Sequence, residues 1–144
     1  MPVNAVVTKV VDGDTIEVDV DGIRTLVRFI GIDSPEKTGG YRPAECFGDT
    51  ATTRLGKLIP PGTAVWLEGD EQEYDRYDRL LAYVYRSADG QFMNEYMVLD
   101  GYADKMPYEP NSTYADEFAA AATAAQVGGR GLWGECGGPD KLLG

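Results

Sequence analysis

Two short acidic stretches, Asp12-Gly13-Asp14-Thr15 and Asp33-Ser34-Pro35-Glu36, carry the residues best suited to chemistry in this chain. Carboxylates and carbonyls are hard oxygen donors of the kind that hold Ca2+ or Mg2+. An open site of that sort can hold a phosphate oxygen and a water together. Arg28 lies between the two stretches, inside an otherwise apolar run. A third stretch, Asp75-Arg76-Tyr77-Asp78-Arg79, leads into another apolar run. Two arginines arriving from different strands can grip two phosphoryl oxygens and oppose the charge that builds in a transition state. Taken singly, each stretch also reads as an acidic turn or a solvated charge run. Two acidic loops with an arginine between them favour the chemical reading.

The elements that must position these residues follow from periodicity. Residues 5–11 read as a strand that stops at Asp12-Gly13-Asp14. Residues 15–20 alternate apolar and polar, the period of a half-buried strand. Asp21-Gly22 is a strong hairpin turn signal, and residues 23–32 form the returning strand. In the simplest register Thr15 faces Arg28, and Asp14 approaches the loop that begins at Asp33. Asp14, Arg28, Asp33 and Glu36 are therefore expected in one pocket. Arg28 should share a strand face with Ile30 and Ile32.

A helix is expected from Pro43, with Phe47, Ala51, Leu55 and Leu58 as its buried stripe, ending at Pro60-Pro61-Gly62. Residues 64–69 and 80–86 read as strands. Residues 92–100 read as a short helix ended by Gly101. Residues 102–112 read as loop and 113–127 as a helix, with Thr113 and Asp116 resembling a capping box. Residues 137–144 read as a flexible tail. Five strands with short hairpins suit a small closed barrel with helices covering its side and end.

The totals set limits. The 144 residues fit one domain of about residues 5–134 plus the tail, and a 43% apolar fraction suits a packed core. There is no histidine, which excludes imidazole ligands and every histidine-based triad or base. Two cysteines are too few for a thiolate zinc site. Cys46 and Cys136 either form a disulfide that ties the tail to an early helix, or stand as unrelated thiols. A disulfide would point to a secreted or otherwise extracytoplasmic setting; without it a cytoplasmic one stays open. The sequence has no membrane-length apolar run and no signal-peptide pattern at its start. The net charge of -11 disfavours a tight non-specific nucleic-acid binder and predicts strong dependence on divalent cation for substrate capture.

These stretches together resemble the thermonuclease, or staphylococcal-nuclease-like, family. The resemblance runs from about Val6 to Trp133. It rests on VVDGDT at residues 10–15, VRFIGIDSPE at 27–36 and DRYDRLLAYVY at 75–85, then Asn94-Glu95, Pro110-Asn111-Ser112-Thr113 and Gly131-Leu132-Trp133, in family order. It implies an α+β fold, a five-stranded OB-fold β-barrel with three α-helices. It implies a Ca2+-dependent nuclease acting on DNA and RNA as a monomer with no membrane partner, Mg2+ being the lesser alternative. Asp14 and Asp33 resemble the carboxylate ligands, and Ser34 stands where a main-chain carbonyl ligand is supplied. Glu36 resembles the residue that orients or deprotonates the attacking water. Arg28 and Arg79 resemble the two phosphate-binding arginines. Asp12 resembles an acidic neighbour of the metal, and Arg76, Tyr77 and Tyr108 stand on the substrate side. The stretch from Tyr102 to Tyr108 is one residue shorter than in well-known members, which leaves open whether Tyr108, Met106 or neither meets the nucleotide. The rival reading is a non-catalytic OB-fold module that binds nucleic acid or protein.

Overall fold

Asp21 and Gly22 both adopt positive φ, 51° and 85°, the conformation a two-residue primed turn requires. That turn joins β2 (Thr15–Val20) to β3 (Ile23–Phe29) and sets their register, with Val20 opposite Ile23 and Thr15 opposite Arg28. The expected pairing of Thr15 with Arg28 is thus present. The computed structural model describes residues 2–143. β1 (Pro2–Asp12) is longer than the expected 5–11. Its first half pairs with β5 (Ala64–Glu68) and its second half with β2. Irregularities between Val7 and Lys9 and between Val10 and Asp12 bend it from one partner to the other.

β6 (Leu80–Arg86) runs antiparallel to β5 and parallel to β3, with Arg28 opposite Leu81. This last pairing closes the ring β1-β2-β3-β6-β5 into a five-stranded barrel of OB type. Val7, Ile16, Val18, Val27, Phe29, Val65 and Val84 are each 1% exposed or less and fill it. Each such side chain contributes about 1.5–3 kcal/mol by leaving water.

Three helices cover the barrel, as expected. α1 (Gly48–Leu58) buries Ala51 and Leu55. It starts later than the expected Pro43, because Phe47 takes a left-handed conformation at φ 75° and stacks on Tyr102 instead of joining the apolar stripe. α2 (Met93–Leu99) follows the two-residue β7 (Gln91–Phe92) and buries Met93, Met97 and Val98. α3 (Ala115–Val127) packs its Phe118, Ala121, Ala122 and Ala125 inward. The expected Thr113 capping box does not form. Tyr114 precedes the helix with no side-chain cap, and the Thr113 N–H donates to Asp70.

Three features depart from the periodic reading. β3 stops at Phe29, because Gly31 (φ 82°) turns the chain, so Arg28 does not continue a face with Ile30 and Ile32. Ile32 and Asp33 form β4 instead, paired with Asp104–Lys105 of β8 in the stretch read as loop. A short α4 (Leu132–Cys136) adds a fourth helix. The segment read as a flexible tail is hydrogen-bonded: Leu142 bridges Glu45, the Cys46 N–H donates to the Lys141 carbonyl, and Cys46 is disulfide-bonded to Cys136.

Where β3 leaves β6, the fully buried Asn94 side chain takes over the ladder. Its Oδ1 accepts the Val84 N–H at 2.8 Å and its Nδ2 donates to the Ile30 carbonyl at 2.9 Å. The Val84 N–H within β6 and the Ile30 carbonyl just past β3 are thereby spared from standing unpaired in the core.

Candidate active site

The barrel brings the two acidic loops into contact. Gly13 carries no Cβ because one there would overlap Ser34 and Ala51. This close approach lets the buried Asp14 reach across the barrel end. Its Oδ2 accepts the Ser34 N–H at 2.9 Å, and its Oδ1 accepts the Thr15 hydroxyl at 3.0 Å. The Asp14 N–H donates to Asp12 Oδ1, which holds the second carboxylate alongside.

Arg28 is fixed by its own chain. Its Nη1 donates to the carbonyls of Phe29 and Ile32 at 2.8 and 2.9 Å. Its Nη2 lies 3.5 Å from Asp14 Oδ2 and 3.9 Å from Asp33 Oδ1. One guanidinium therefore serves two carboxylates from the two loops. Burial alone would push the Asp14 carboxyl up, but Arg28, Asp12 and the Ser34 and Thr15 donors together hold it below its ordinary value. The neighbours carry the cost. Burial and then Asp14 push Asp12 up to about 7. Burial and then Asp14 push Asp33 up to about 6 against the pull of Arg28.

Glu36 is half-buried at the same end. Burial and then Asp14 raise its carboxyl, Arg42 opposes them, and Glu45 adds to the rise. Its main chain is closely held: Glu45 Oε1 accepts the Glu36 N–H, and the Glu36 carbonyl accepts the Glu45 N–H. A Cβ on Gly48 would overlap that carbonyl, so glycine is needed for α1 to begin so near the loop. The Lys37 ammonium donates to the Val11 carbonyl and ties the far side of the loop to the end of β1.

Arg79 immediately precedes β6, two residues before the Leu81 that pairs with Arg28. Its Nε donates to Asp75 Oδ2 at 2.8 Å, and its guanidinium lies 5.3 Å from the ring centre of Tyr77. Arg76 packs on the same exposed ring at 4.9 Å. Tyr108 is half-buried, and its hydroxyl accepts from Gln72 Nε2. Met106 is exposed, with its N–H on the Gly31 carbonyl. Thus Asp12, Asp14, Arg28, Asp33 and Ser34 share one cluster. Glu36 borders it, Arg79 stands on the neighbouring strand, and Arg76, Tyr77 and Tyr108 lie outside its direct contacts.

Periodicity did not single out Glu45, Lys37 or Gly48 as supports of Glu36. Their roles arise from contacts between loop and helix start, which leave no repeat in sequence. Thr15 carried a usable signal, since it faces Arg28 in the hairpin register.

The donors at this cluster are oxygens. The carboxylates of Asp14 and Asp33 are the kind of oxygen donor that suits a hard divalent ion completed by water. Among the described residues no group of three or more His, Cys, Asp or Glu side chains is arranged to hold a metal by itself. Asp14 and Asp33 stand around one guanidinium with Asp12 alongside, and burial followed by the Asp14 charge raises both Asp12 and Asp33, a repulsion that a bound cation would relieve.

A family model described as staphylococcal nuclease homologue matches residues 26–135. A thermonuclease of Staphylococcus hyicus is 36% identical over 127 residues, covering 88% of this chain and 73% of that protein. The endonuclease YncB of Bacillus subtilis is 34% identical over 137 residues, 94% of this chain and 64% of its own length. A prophage-derived endonuclease, YokF, of the same organism is 34% identical, and the chain spans 45% of it. With this match and this barrel, the chain belongs to the staphylococcal nuclease homologue family.

Proposed function

We propose that this protein hydrolyses phosphodiester bonds of DNA and RNA with Ca2+ as its cofactor, leaving 3'-phosphate ends. The observation that carries this reading is Arg28 poised between Asp14 and Asp33, with Glu36 at the same barrel end. Asp14, Asp33 and the Ser34 carbonyl would hold the ion. When bound, such an ion polarises a phosphoryl oxygen and acidifies a water.

The protein groups divide the remaining work. Glu36 orients the attacking water and takes its proton, a role suited to a carboxylate whose basicity burial and Asp14 have raised. Attack runs in line with the departing 5'-oxygen. Arg28 is already locked by two carbonyls, so its charge meets the phosphoryl oxygens with little reorganisation. Arg79 adds the second guanidinium after exchanging Asp75 for phosphate. Tyr77, with Arg76 and Arg79 against its ring, is the exposed aromatic offered to the substrate, and Tyr108 is assigned to the substrate side by family resemblance. The disulfide supports an extracytoplasmic setting. Among the described residues no helix is long and apolar enough to cross a membrane.

The test is digestion of single-stranded DNA, duplex DNA and RNA in Ca2+, in Mg2+ and in chelator, with end-group analysis. The reading expects Ca2+-dependent cleavage and 3' ends that accept a 5'-phosphorylated adapter only after phosphatase treatment. Uncut substrates, or ends with free 3'-hydroxyls, would reject it.

A further inference from the structure

The short segment 44–46 is gripped from both sides. Towards the site, the Glu45 N–H donates to the Glu36 carbonyl at 2.9 Å, and Glu45 Oε1 accepts the Glu36 N–H at 2.8 Å. Away from the site, the Cys46 N–H donates to the Lys141 carbonyl at 2.7 Å. The Leu143 N–H donates to the Ala44 carbonyl at 3.1 Å, and Glu45 forms an antiparallel bridge with Leu142. The Cys46–Cys136 disulfide, spanning 90 residues, closes the arrangement. Glu36 is thus backed by Glu45, and Glu45 is backed by a strip of C-terminal chain.

A single isolated bridge with its two flanking hydrogen bonds is marginal alone, and the α4 helix before it has only five residues. The covalent link keeps the strip at high effective concentration beside its partner. Barrel closure uses β3 and β6 and does not involve Cys136. Loss of the link should therefore open the strip locally and leave the barrel folded. Both cysteines are partly exposed, so a reductant can reach them.

We propose that the disulfide-anchored strip is a redox-dependent positioning device for Glu36, with Glu45 as the positioning residue, so that reduction slows turnover without weakening substrate binding. A dithiol reductant supplies two electrons and two protons. It becomes a disulfide while Cys46 and Cys136 become thiols. The proposal rests on the reading of Glu36 as the water-orienting base.

The experiment compares oxidised protein, dithiol-reduced protein and the Cys46→Ser/Cys136→Ser double variant. It reads steady-state cleavage of a single-stranded oligonucleotide in Ca2+ and amide hydrogen exchange. Reduction is expected to lower kcat about 10- to 100-fold, the range seen when supports of a working side chain are lost, with KM little changed. The Glu36 and Glu45 amides should exchange faster while barrel amides stay protected. The double variant should match the reduced protein and ignore reductant. With the disulfide intact, Glu45→Ala should reproduce the slow turnover, and Glu45→Gln, which keeps an acceptor oxygen, should restore it.

Full turnover by protein shown to be reduced, unchanged Glu36 exchange, or full turnover by Glu45→Ala would overturn the proposal. Should reduction unfold the barrel, the Glu45 variants decide. Should no form cut, faster Glu36 exchange on reduction would uphold the clamp while rejecting the nuclease reading.

Discussion

Asp14 Oδ2 accepts the Ser34 N–H at 2.9 Å, joining residues twenty positions apart in sequence. That bond is where the two acidic loops become one site. It also fixes which Asp14 oxygen faces Arg28, since the same Oδ2 lies 3.5 Å from Nη2.

Asp14 and Asp33 as ion ligands can be tested without any reaction. A ligand that binds only the folded state raises stability by about 2.7 kcal/mol at a hundred times its Kd. Thermal unfolding of the parent should shift upward with Ca2+. Asp14→Asn should fold in chelator yet lose most of that shift. An equal shift in the variant would remove Asp14 from the ion site.

Arg28 and Arg79 should respond differently to lysine. Arg28 Nη1 bridges two carbonyls while Nη2 serves two carboxylates, and an ammonium cannot cover both ends. Arg28→Lys should lose about 1–3 kcal/mol in urea unfolding and about 100-fold in kcat/KM. Arg79→Lys keeps the charge beside Asp75 but loses the guanidinium fork, at a more exposed position. It should cost comparable activity but less than about 1 kcal/mol of stability.

The raised carboxyls predict a pH dependence for the metal-free protein. Asp12 titrates at about 7 in the fold. An unfolded chain loses that proton near the ordinary carboxylate pKa, about 4. Between those values the unfolded state holds fewer protons, so stability falls as pH rises from about 4 to 7 and then levels. Asp33, raised to about 6, adds a fall ending one unit earlier. Asp12→Asn should therefore match the parent near pH 4 and exceed it by about 1–2 kcal/mol above pH 7, after allowance for solvent screening. Denaturation in chelator across this range is the check. A variant less stable than the parent at pH 8 would contradict the burial and repulsion assigned to Asp12.

Two glycines of α1 should behave oppositely. Gly48 abuts the Glu36 carbonyl, whereas an added Cβ at Gly56 meets nothing within 4 Å. Gly48→Ala should cost about 1–3 kcal/mol by overpacking and displace Glu36, with about 100-fold lower kcat. Gly56→Ala should gain about 0.5–1 kcal/mol from helix propensity and leave kcat unchanged. Denaturation and steady-state kinetics on the two variants separate these effects.

Much of this arrangement was legible in sequence because local rules govern it. Asp21-Gly22 specifies a two-residue turn, the turn specifies the register, and the register puts Arg28 opposite Thr15 beside the acidic loops. The β6 boundaries and the end of α3 followed period and flanking turn residues, whereas α3 starts two residues later than the expected Thr113. The parts that escaped depend on distant partners. β4 and β8 are two residues each, too short to show alternation, and exist because Gly31 redirects the chain. Phe47 fits a helical stripe by spacing, yet it stacks on Tyr102 and stands before the helix. Residues 137–143 look loose by composition and are tied down by a bond to Cys46. Glu45 supports Glu36 through a loop closure that no periodic pattern encodes.

The central claim is that Glu36 activates water at a Ca2+-dependent phosphodiesterase site. The most direct measurement is cleavage of an end-labelled single-stranded oligonucleotide by parent and Glu36→Gln, in Ca2+ and in chelator. Unfolding midpoints should show both proteins folded. The parent should cut only with Ca2+, and Glu36→Gln should cut about 100- to 10,000-fold more slowly. Equal rates for the two proteins, or undiminished cleavage in chelator, would contradict the account.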